Sequence, residues 1–358
     1  MIELCFDTGK TYAVALEGGG AKGAYQVGVW QALEEAGVKY NAVSGTSVGA
    51  LNGALMTMRD LPAAIRCWSE ISLSKVINVK GFDAEDLKKL ITGEVQAEDL
   101  TEMLPQAFGL LKNRGLDIGP LRAWVHEIAD PKKIKESDVQ FYLSTVSLTD
   151  IKGLEVHVNE LPEDQICDML LASAYHPGFR LEKLGGKFYT DGGFVDSLPI
   201  HALVENGYKD IIAVRLPAIG WERRFKMPDD VSITTVQTSR DLGRAMDFDA
   251  EVCRRRMAIG YLDCKRVLYG LRGRKYYLDR TLSEREALEW ILDHEGGKSE
   301  TLRACLEKDL PRTARQMDAE DADYYELMTL LLEQKAEEKG LTDLKVYLDR
   351  DLIELAED

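Results

Sequence analysis

The chain has 358 residues, 45% of them hydrophobic, and a formal net charge of -16. That length suits one large catalytic domain with an appendage, or two modest domains, and the composition excludes a disordered, collagenous or disulfide-built chain. So acidic a protein is a poor general binder of nucleic acid, and no nucleic-acid partner is expected.

The N-terminus, Met1-Ile2-Glu3-Leu4-Cys5-Phe6-Asp7, has neither the basic region nor the apolar run of a signal peptide. No later stretch offers the roughly 18 apolar residues that a spanning helix needs. Cys5, Cys67, Cys167, Cys253, Cys264 and Cys305 are scattered without a C-x-x-C pair, which reads as free thiols in a reducing cytoplasm. The histidines are scattered too, without H-E-x-x-H, so no metal and no other cofactor is expected. Any membrane contact would be peripheral.

In chain order, Thr11 to Leu16 is a short β-prone apolar run that stops at Glu17 and the glycines Gly18, Gly19, Gly20 and Gly23. From Ala24 to Ala36 apolar residues recur at helical spacing (Val27, Trp30, Leu33), and Gly37 is a natural stop. Tyr40 to Ser44 is a second strand, followed by Gly45-Thr46-Ser47-Val48-Gly49 and a small-residue helix from Ala50. Strand, glycine turn, helix, strand, turn, helix is an α/β pattern with a parallel sheet. Residues 60 to 135 read as mostly helical and polar, broken at Gly93, Gly109, Gly115 and Gly119-Pro120. Gln140 to Leu148 is a strand candidate, and Gly153 to Val158 pairs near it. Lys187 to Thr190 and Ile211 to Leu216 look like further strands. Helical signal resumes after Ser239. From Leu282 onward the pattern is highly charged, helical and strandless, with a soft boundary near Arg280.

Gly45-Thr46-Ser47-Val48-Gly49 matches G-x-S-x-G. A serine at a sharp strand-to-helix turn sits in cramped backbone geometry, and the flanking glycines keep side chains out of it. The helix behind supplies free N–H groups and the positive end of its dipole near developing negative charge. An ordinary glycine-rich turn is the plain alternative. Gly18-Gly19-Gly20-Ala21-Lys22-Gly23 satisfies G-x-G-x-x-G, the dinucleotide fingerprint. A dinucleotide site should carry an acid at the end of the second strand, but here that strand runs into the serine turn. The competing reading is an oxyanion hole, in which side-chain-free backbone lets successive N–H groups point at one oxygen. Parallel strands of one βαβ unit place their C-terminal turns side by side, which brings the glycine loop next to Ser47. Gly9-Lys10-Thr11 is no P-loop, because Leu4 stands where its first glycine belongs.

The serine needs a base. Among the histidines His176 is best placed, and His126, His157, His201 and His294 have no turn motif around them. Asp191-Gly192-Gly193, after a strand, stands out instead: an acid followed by two glycines can reach into a site unshielded. A plain D-G-G turn would look the same.

Taken together and in this order, Gly-Gly-Gly-Ala-Lys-Gly, Gly-Thr-Ser-Val-Gly and Asp-Gly-Gly resemble the patatin-like phospholipases of bacterial type. Ala24 to Val29 with Leu33 is similar to the family's first helix. Ala172-Ser173-Ala174 with Pro177 and Phe179 resembles its A-S-x-A-x-P-x-x-F stretch. Asp191-Gly192-Gly193 with Asp196, Leu198 and Pro199 resembles D-G-G-x-x-D-N-L-P, and Leu242-Gly243 with Asp247 to Asp249 and Gly260-Tyr261 resembles the end of bacterial members. The resemblance implies a three-layer α/β/α fold with a mostly parallel central sheet, over residues 10–280 with its core at 14–204, plus a helical appendage of unknown role over 281–358. It implies a Ser47–Asp191 dyad without histidine and an oxyanion loop over Gly18 to Gly23, with Gly19, Gly20 and Ala21 as donors. Gly45, Thr46, Val48 and Gly49 would form the nucleophile elbow, and Gly192 and Gly193 the turn of the base. The implied substrate is a lipid ester, cleaved through an acyl-Ser47 intermediate without a metal. Alternatives are an esterase or thioesterase for smaller soluble acyl groups, a catalytically silent lipid-binding relative and, more distantly, a dinucleotide-dependent oxidoreductase. Two positions depart from the family: Ser197 stands where Asn is usual, and Lys22 where Arg is common, keeping the charge without the fork.

Finally, Arg254, Arg255, Arg256, Lys265, Arg266, Arg272, Arg274 and Lys275 cluster with only Asp263 opposing. A helix over 249–267 would set Arg254 with Lys265 on one face and Arg255 with Arg266 on a neighbouring stripe, and such a face could meet an anionic membrane surface. A solvated face, or one paired with the acidic tail, is the plainer reading.

Overall fold

The computed structural model describes residues 3–77, 115–218, 220–295 and 301–357. Gly93 and Gly109 lie outside the described residues. The chain divides into two compact units, residues 7–264 and residues 1–6 with 265–358.

In the first unit, β1 (Thr11–Leu16) leads through the glycine loop to α1 (Ala24–Glu35). β2 (Lys39–Thr46) leads through Ser47 to α2 (Val48–Thr57), and α3 (Leu61–Ser69) follows. A hairpin of β3 (Gln140–Ser147) and β4 (Lys152–His157) precedes α4 (Glu163–Ser173), β5 (Tyr189–Asp191) and α5 (Ile200–Glu205). β6 (Asp210–Val214) and β7 (Ser232–Val236) complete the sheet, and α6 (Ala250–Tyr269) begins in this unit and ends in the second. The strand order is β4-β3-β2-β1-β6-β7, with β5 pairing β3. Every pair from β3 to β7 along that order is parallel, and β4 and β5 run antiparallel to β3.

Both faces of the central strands are covered, which is why β1 reads as an unbroken apolar run instead of an alternation. Ala13, Ala15, Ala42, Ile211 and Ala213 point to one face and pack with Ile200 and Leu203 of α5. On the other face, α2 approaches so closely that a Cβ at Gly53 would meet the Phe141 ring and Val43. The result is an α/β fold with a mostly parallel central sheet and helices on both sides, as the opening pattern implies. The wound parallel strands put the glycine loop, the Ser47 turn and the β3–β4 turn at one edge of the sheet.

The second unit buries Tyr276, Leu278, Ile291, Tyr325, Met328, Leu332, Tyr347 and Leu352 in a core of its own. The expectation of a strandless tail after Leu282 fails there. β8 (Tyr277–Asp279) pairs in parallel with β9 (Val346–Leu348). The fully buried Asp349 side chain that follows β9 accepts from the Leu282 amide at 2.9 Å and the Tyr325 hydroxyl at 3.0 Å. No helix among the described residues is long and apolar enough to cross a membrane.

The basic residues of α6 do not form one free stripe. Arg256 is buried, and its guanidinium donates to the carbonyls of Leu242, Arg244 and Asp247 at 2.8 to 3.0 Å, knitting the 242–247 loop together. Arg254 donates to the Ser69 carbonyl at 2.8 Å. Arg266 lies 4.4 Å from the Tyr277 ring centroid and donates to the Tyr276 carbonyl.

Candidate active site

Ser47 sits between β2 and α2 with φ 56° and ψ -127°, a left-handed conformation that costs a non-glycine residue about 1–3 kcal/mol. The flanking glycines make the turn feasible. A Cβ at Gly45 would lie 2.3 Å from the Gly49 carbonyl oxygen, and one at Gly49 would lie 2.4 Å from that of Leu16. The strained turn lifts the serine hydroxyl out of the sheet edge, in front of the α2 N-terminus.

β3 acts as the ruler that brings the candidate base to the candidate nucleophile. It pairs with β2 up to Ser144↔Thr46, and then with β5 from Thr145↔Asp191. Consecutive residues of one strand thus face the residue before Ser47 and Asp191 itself. The Ser47 hydroxyl lies close enough to the Asp191 carboxylate to favour its ionised form. Gly192 must be glycine here, since a Cβ would stand 2.2 Å from the Ser144 carbonyl oxygen. The Gly193 amide donates to the Asp191 carboxylate at 2.8 Å and orients it. Burial pushes the Asp191 carboxyl above its ordinary range, against the opposing influence of Ser47 and the Gly193 hydrogen bond.

Of the glycine loop, Gly18 adjoins the serine: a Cβ there would lie 3.2 Å from that of Ser47. The amides divide into two sets. Gly18 donates to the Ser197 carbonyl at 2.9 Å, and Ala21 to the Ala245 carbonyl at 2.6 Å. No protein acceptor among the described residues takes the Gly19 or Gly20 N–H. Ala21, expected as a donor to an oxyanion, is therefore engaged in this conformation, and Gly19 and Gly20 are the amides at liberty. Lys22 reaches back to the Pro217 carbonyl and tethers the loop after β6. Gly23 closes the short turn before α1.

Several contributors carry no motif of their own. The Ser173 hydroxyl, at the end of α4, donates to the Ser144 carbonyl at 2.7 Å and accepts from the Ser47 amide at 3.0 Å. It clamps the turn to β3. Thr46 and Ser44 donate to the carbonyls of Asp196 and Pro199 at 2.7 and 2.8 Å, stitching the segment after Asp191 along β2. A buried amide chain joins the glycine loop to α2: Gln26 donates to the Glu17 carbonyl at 2.6 Å, and Asn52 donates to Gln26 and to the Gly23 carbonyl, both at 2.9 Å. The Trp68 indole caps Asn52 at 2.9 Å. A polar pair on facing helices, Gln26 and Asn52, was the available signal in the sequence, but an amide in a helix more often faces water.

His176 is exposed, and its Nδ1 accepts from the Gly178 amide at 3.1 Å. Its charge reaches Asp191 weakly, and no hydrogen bond joins it to Ser47 among the described residues. Glu155, His201 and Glu205 could present ligand atoms to a metal within 4.8 Å of one another. Each nitrogen of His201 already faces a carboxylate, at 3.2 and 3.0 Å, and Arg223 pairs with Glu155 at 2.7 Å. These groups thus already satisfy one another within the protein.

Glu17, at the foot of the glycine loop, is buried and accepts from the Leu216 amide at 2.6 Å. Burial raises its carboxyl from 4.5 to about 7, with Arg215 and the Leu216 bond opposing. A carboxyl raised on folding stabilises the fold while protonated and loses that contribution as pH climbs from 4.5 through about 7. Glu17→Gln keeps an acceptor for Leu216 without the charge. Calorimetry should find the variant melting above the wild type once pH exceeds about 7, and no advantage near 4.5. An advantage that did not depend on pH would mean that Glu17 is ionised throughout.

Comparison with known proteins identifies the family. A family model described as patatin-like phospholipase matches residues 14–204. Patatin-like phospholipase domain-containing protein 6 of Mus musculus is 29% identical over 208 residues, 58% of this chain but 14% of that protein. Neuropathy target esterase sws of Drosophila melanogaster is 27% identical over 207 residues, 58% of this chain and 13% of that protein. The chain thus matches a small part of the length of these relatives. Among solved structures, VipD from Legionella pneumophila superposes with a TM-score of 0.42 at 16% identity, over 96% of this chain and 82% of that one. The family model spans more than half of the residues, and the chain belongs to the patatin-like phospholipase family.

Proposed function

We propose that the chain is a lipid acyl hydrolase, of the phospholipase A or lysophospholipase kind, working through a Ser47–Asp191 dyad. The observation that carries the reading is the β3 register, which supports a direct Ser47–Asp191 hydrogen bond with no histidine between them. The ester carbonyl lies against the Gly19 and Gly20 amides. Ser47 Oγ attacks the carbonyl carbon while Asp191 takes its proton. The tetrahedral oxyanion is held by the glycine amides and by the α2 dipole. The C–O bond to the alcohol breaks as Asp191 returns the proton to the leaving oxygen. Water, deprotonated by Asp191, then attacks the acyl-Ser47 ester; the bond from the acyl carbon to Ser47 Oγ breaks, Asp191 returns the proton to Oγ, and the fatty acid leaves. Desolvation makes Asp191 a stronger base than a carboxylate in water.

No metal or cofactor enters this scheme. Free thiols at all six cysteines support a cytoplasmic setting with peripheral access to lipid. The basic stripe of α6 is weak support for a membrane contact, since Arg254, Arg256 and Arg266 are engaged within the protein. The test is a panel of phospholipids, lysophospholipids, triglycerides and short p-nitrophenyl esters given to the purified protein. Release of long-chain fatty acid from glycerolipids is expected. Cleavage confined to short soluble esters would replace this reading with that of a small-molecule esterase.

A further inference from the structure

We infer that the sheet edge carrying Ser47 is also the surface that inserts into a lipid bilayer, through Ile151, Phe194, Val195 and Trp221 with Arg224 and Lys226 beside them. This rests on the lipid hydrolase reading and adds to it the face by which the enzyme meets its substrate.

Ile151 ends the β3–β4 turn with 89% of its surface exposed and φ 54°. A β-branched residue in the left-handed region is an outlier, because glycine or asparagine fits such a turn without strain. The tip therefore holds an apolar side chain in water at a position where glycine or asparagine would fit better, and an apolar medium would offset the cost of its exposure. Trp221 is 73% exposed and Phe194 55%. The other tryptophans, Trp30, Trp68, Trp124 and Trp290, are all buried, so Trp221 is the exception that calls for a reason.

These residues are fastened together around the candidate base. The Trp221 amide donates to the Gly193 carbonyl at 2.9 Å, and the Trp221 carbonyl accepts from the Ser197 amide at 2.6 Å. Both partners flank Phe194 and Val195 in the segment after Asp191. Val195 in turn covers Gly153 of β4, where a Cβ would come within 2.8 Å of its side chain. Ile151 precedes Gly153 by two residues, at the tip of the same hairpin. The exposed apolar residues thus belong to segments that are joined to one another, from the hairpin tip past Val195 to Trp221, next to the turn that carries Asp191.

Charge decides the kind of partner. The chain carries -16 overall, yet the stretch from Trp221 to Lys226 has Arg223, Arg224 and Lys226 against Glu222 alone. Glu222 is taken by Arg215 and Arg223 by Glu155. Arg224 and Lys226 are exposed with no ion-pair partner among the described residues. Exposed tryptophan and phenylalanine next to free cations is the composition of a bilayer interface, where rings sit at headgroup level and basic groups meet anionic lipid. A diacyl lipid must also lift its ester out of the bilayer to reach Ser47, and an apolar rim at the mouth shortens that path.

The test uses full-length Ser47→Ala protein, so that vesicles are not consumed. Phosphatidylcholine vesicles with and without phosphatidylglycerol are titrated in, and tryptophan emission and co-sedimentation are read. With four tryptophans buried, a blue shift reports Trp221. Emission should shift blue, more strongly with phosphatidylglycerol. Ile151→Asp and Trp221→Ser, made in the same background, should each lower vesicle partition about tenfold or more, and Trp221→Phe should keep it. In the active enzyme the same changes should spare turnover of a soluble short-chain ester. Unshifted emission, or vesicle partition that both Ile151→Asp and Trp221→Ser leave intact, would overturn the inference, including in favour of a protein partner for this rim. The two readings fail separately: loss of ester turnover in the wild type with vesicle binding preserved removes the hydrolase and leaves the surface, and the converse removes the surface alone.

Discussion

Ser47→Ala is expected to abolish labelling by a fluorophosphonate probe and to lower ester hydrolysis by on the order of 10³-fold or more. The turn holds Ser47 at φ 56° between two glycines that no larger residue could replace. Backbone strain of this kind persists only where the surroundings impose it, and here the Ser173 clamp and the α2 start do so. The strain gives a second readout. Ser47→Gly relieves the left-handed conformation and should raise stability by about 1 kcal/mol while being equally inactive. Gain of stability with loss of turnover would mark the position as one held for chemistry. Full activity in Ser47→Ala would sink the proposed mechanism at its first step.

The features that were legible in the sequence are those whose geometry is local. The glycine loop, the Gly45 to Gly49 turn and Asp191-Gly192-Gly193 each depend on backbone that approaches too closely for a side chain, and glycine records that requirement in the sequence. The order of strand and helix up to Gly53 was readable because both faces of the sheet are covered, so the strands are plain apolar runs. What could not be read is non-local. Nothing in residues 140–147 says that one strand pairs first with β2 and then with β5, although that register juxtaposes Ser47 and Asp191. Ser173 was visible only as part of a family stretch, because a serine hydroxyl bridging two backbone groups leaves no pattern. Ala21 was expected among the oxyanion donors, but the Ala245 carbonyl, remote in sequence, takes its amide. Charge patterning groups Arg256 with the surface cations around it. Its carbonyl partners come from a loop whose path charge patterning cannot foretell. β9 has three residues, too few for a period to emerge.

Asp191→Asn is expected to fold normally and to lose on the order of 10³-fold or more in turnover, while His176→Ala loses far less. Asparagine keeps an oxygen for the Gly193 amide, so the turn survives, but an amide cannot accept the proton of Ser47. Stability and activity should even part company. Burial raises the Asp191 carboxyl, so its ionisation costs folding free energy as pH rises through the raised value. The Asn variant is spared that cost and should melt no lower than the wild type at neutral pH. The same shift predicts the pH profile. Asp191 must be ionised to act as base, so the acidic limb of kcat/KM should lie above the ordinary 3.8 of an aspartate. A histidine base would behave otherwise: the limb would follow an imidazole and disappear in His176→Ala. His176 is poorly placed for that role, since its Nδ1 is bound to Gly178 and its ring lies in solvent. If His176→Ala proves as inactive as Ser47→Ala while Asp191→Asn still turns over, the proton leaves Ser47 through the imidazole. The β3 register would then serve only to hold the turn.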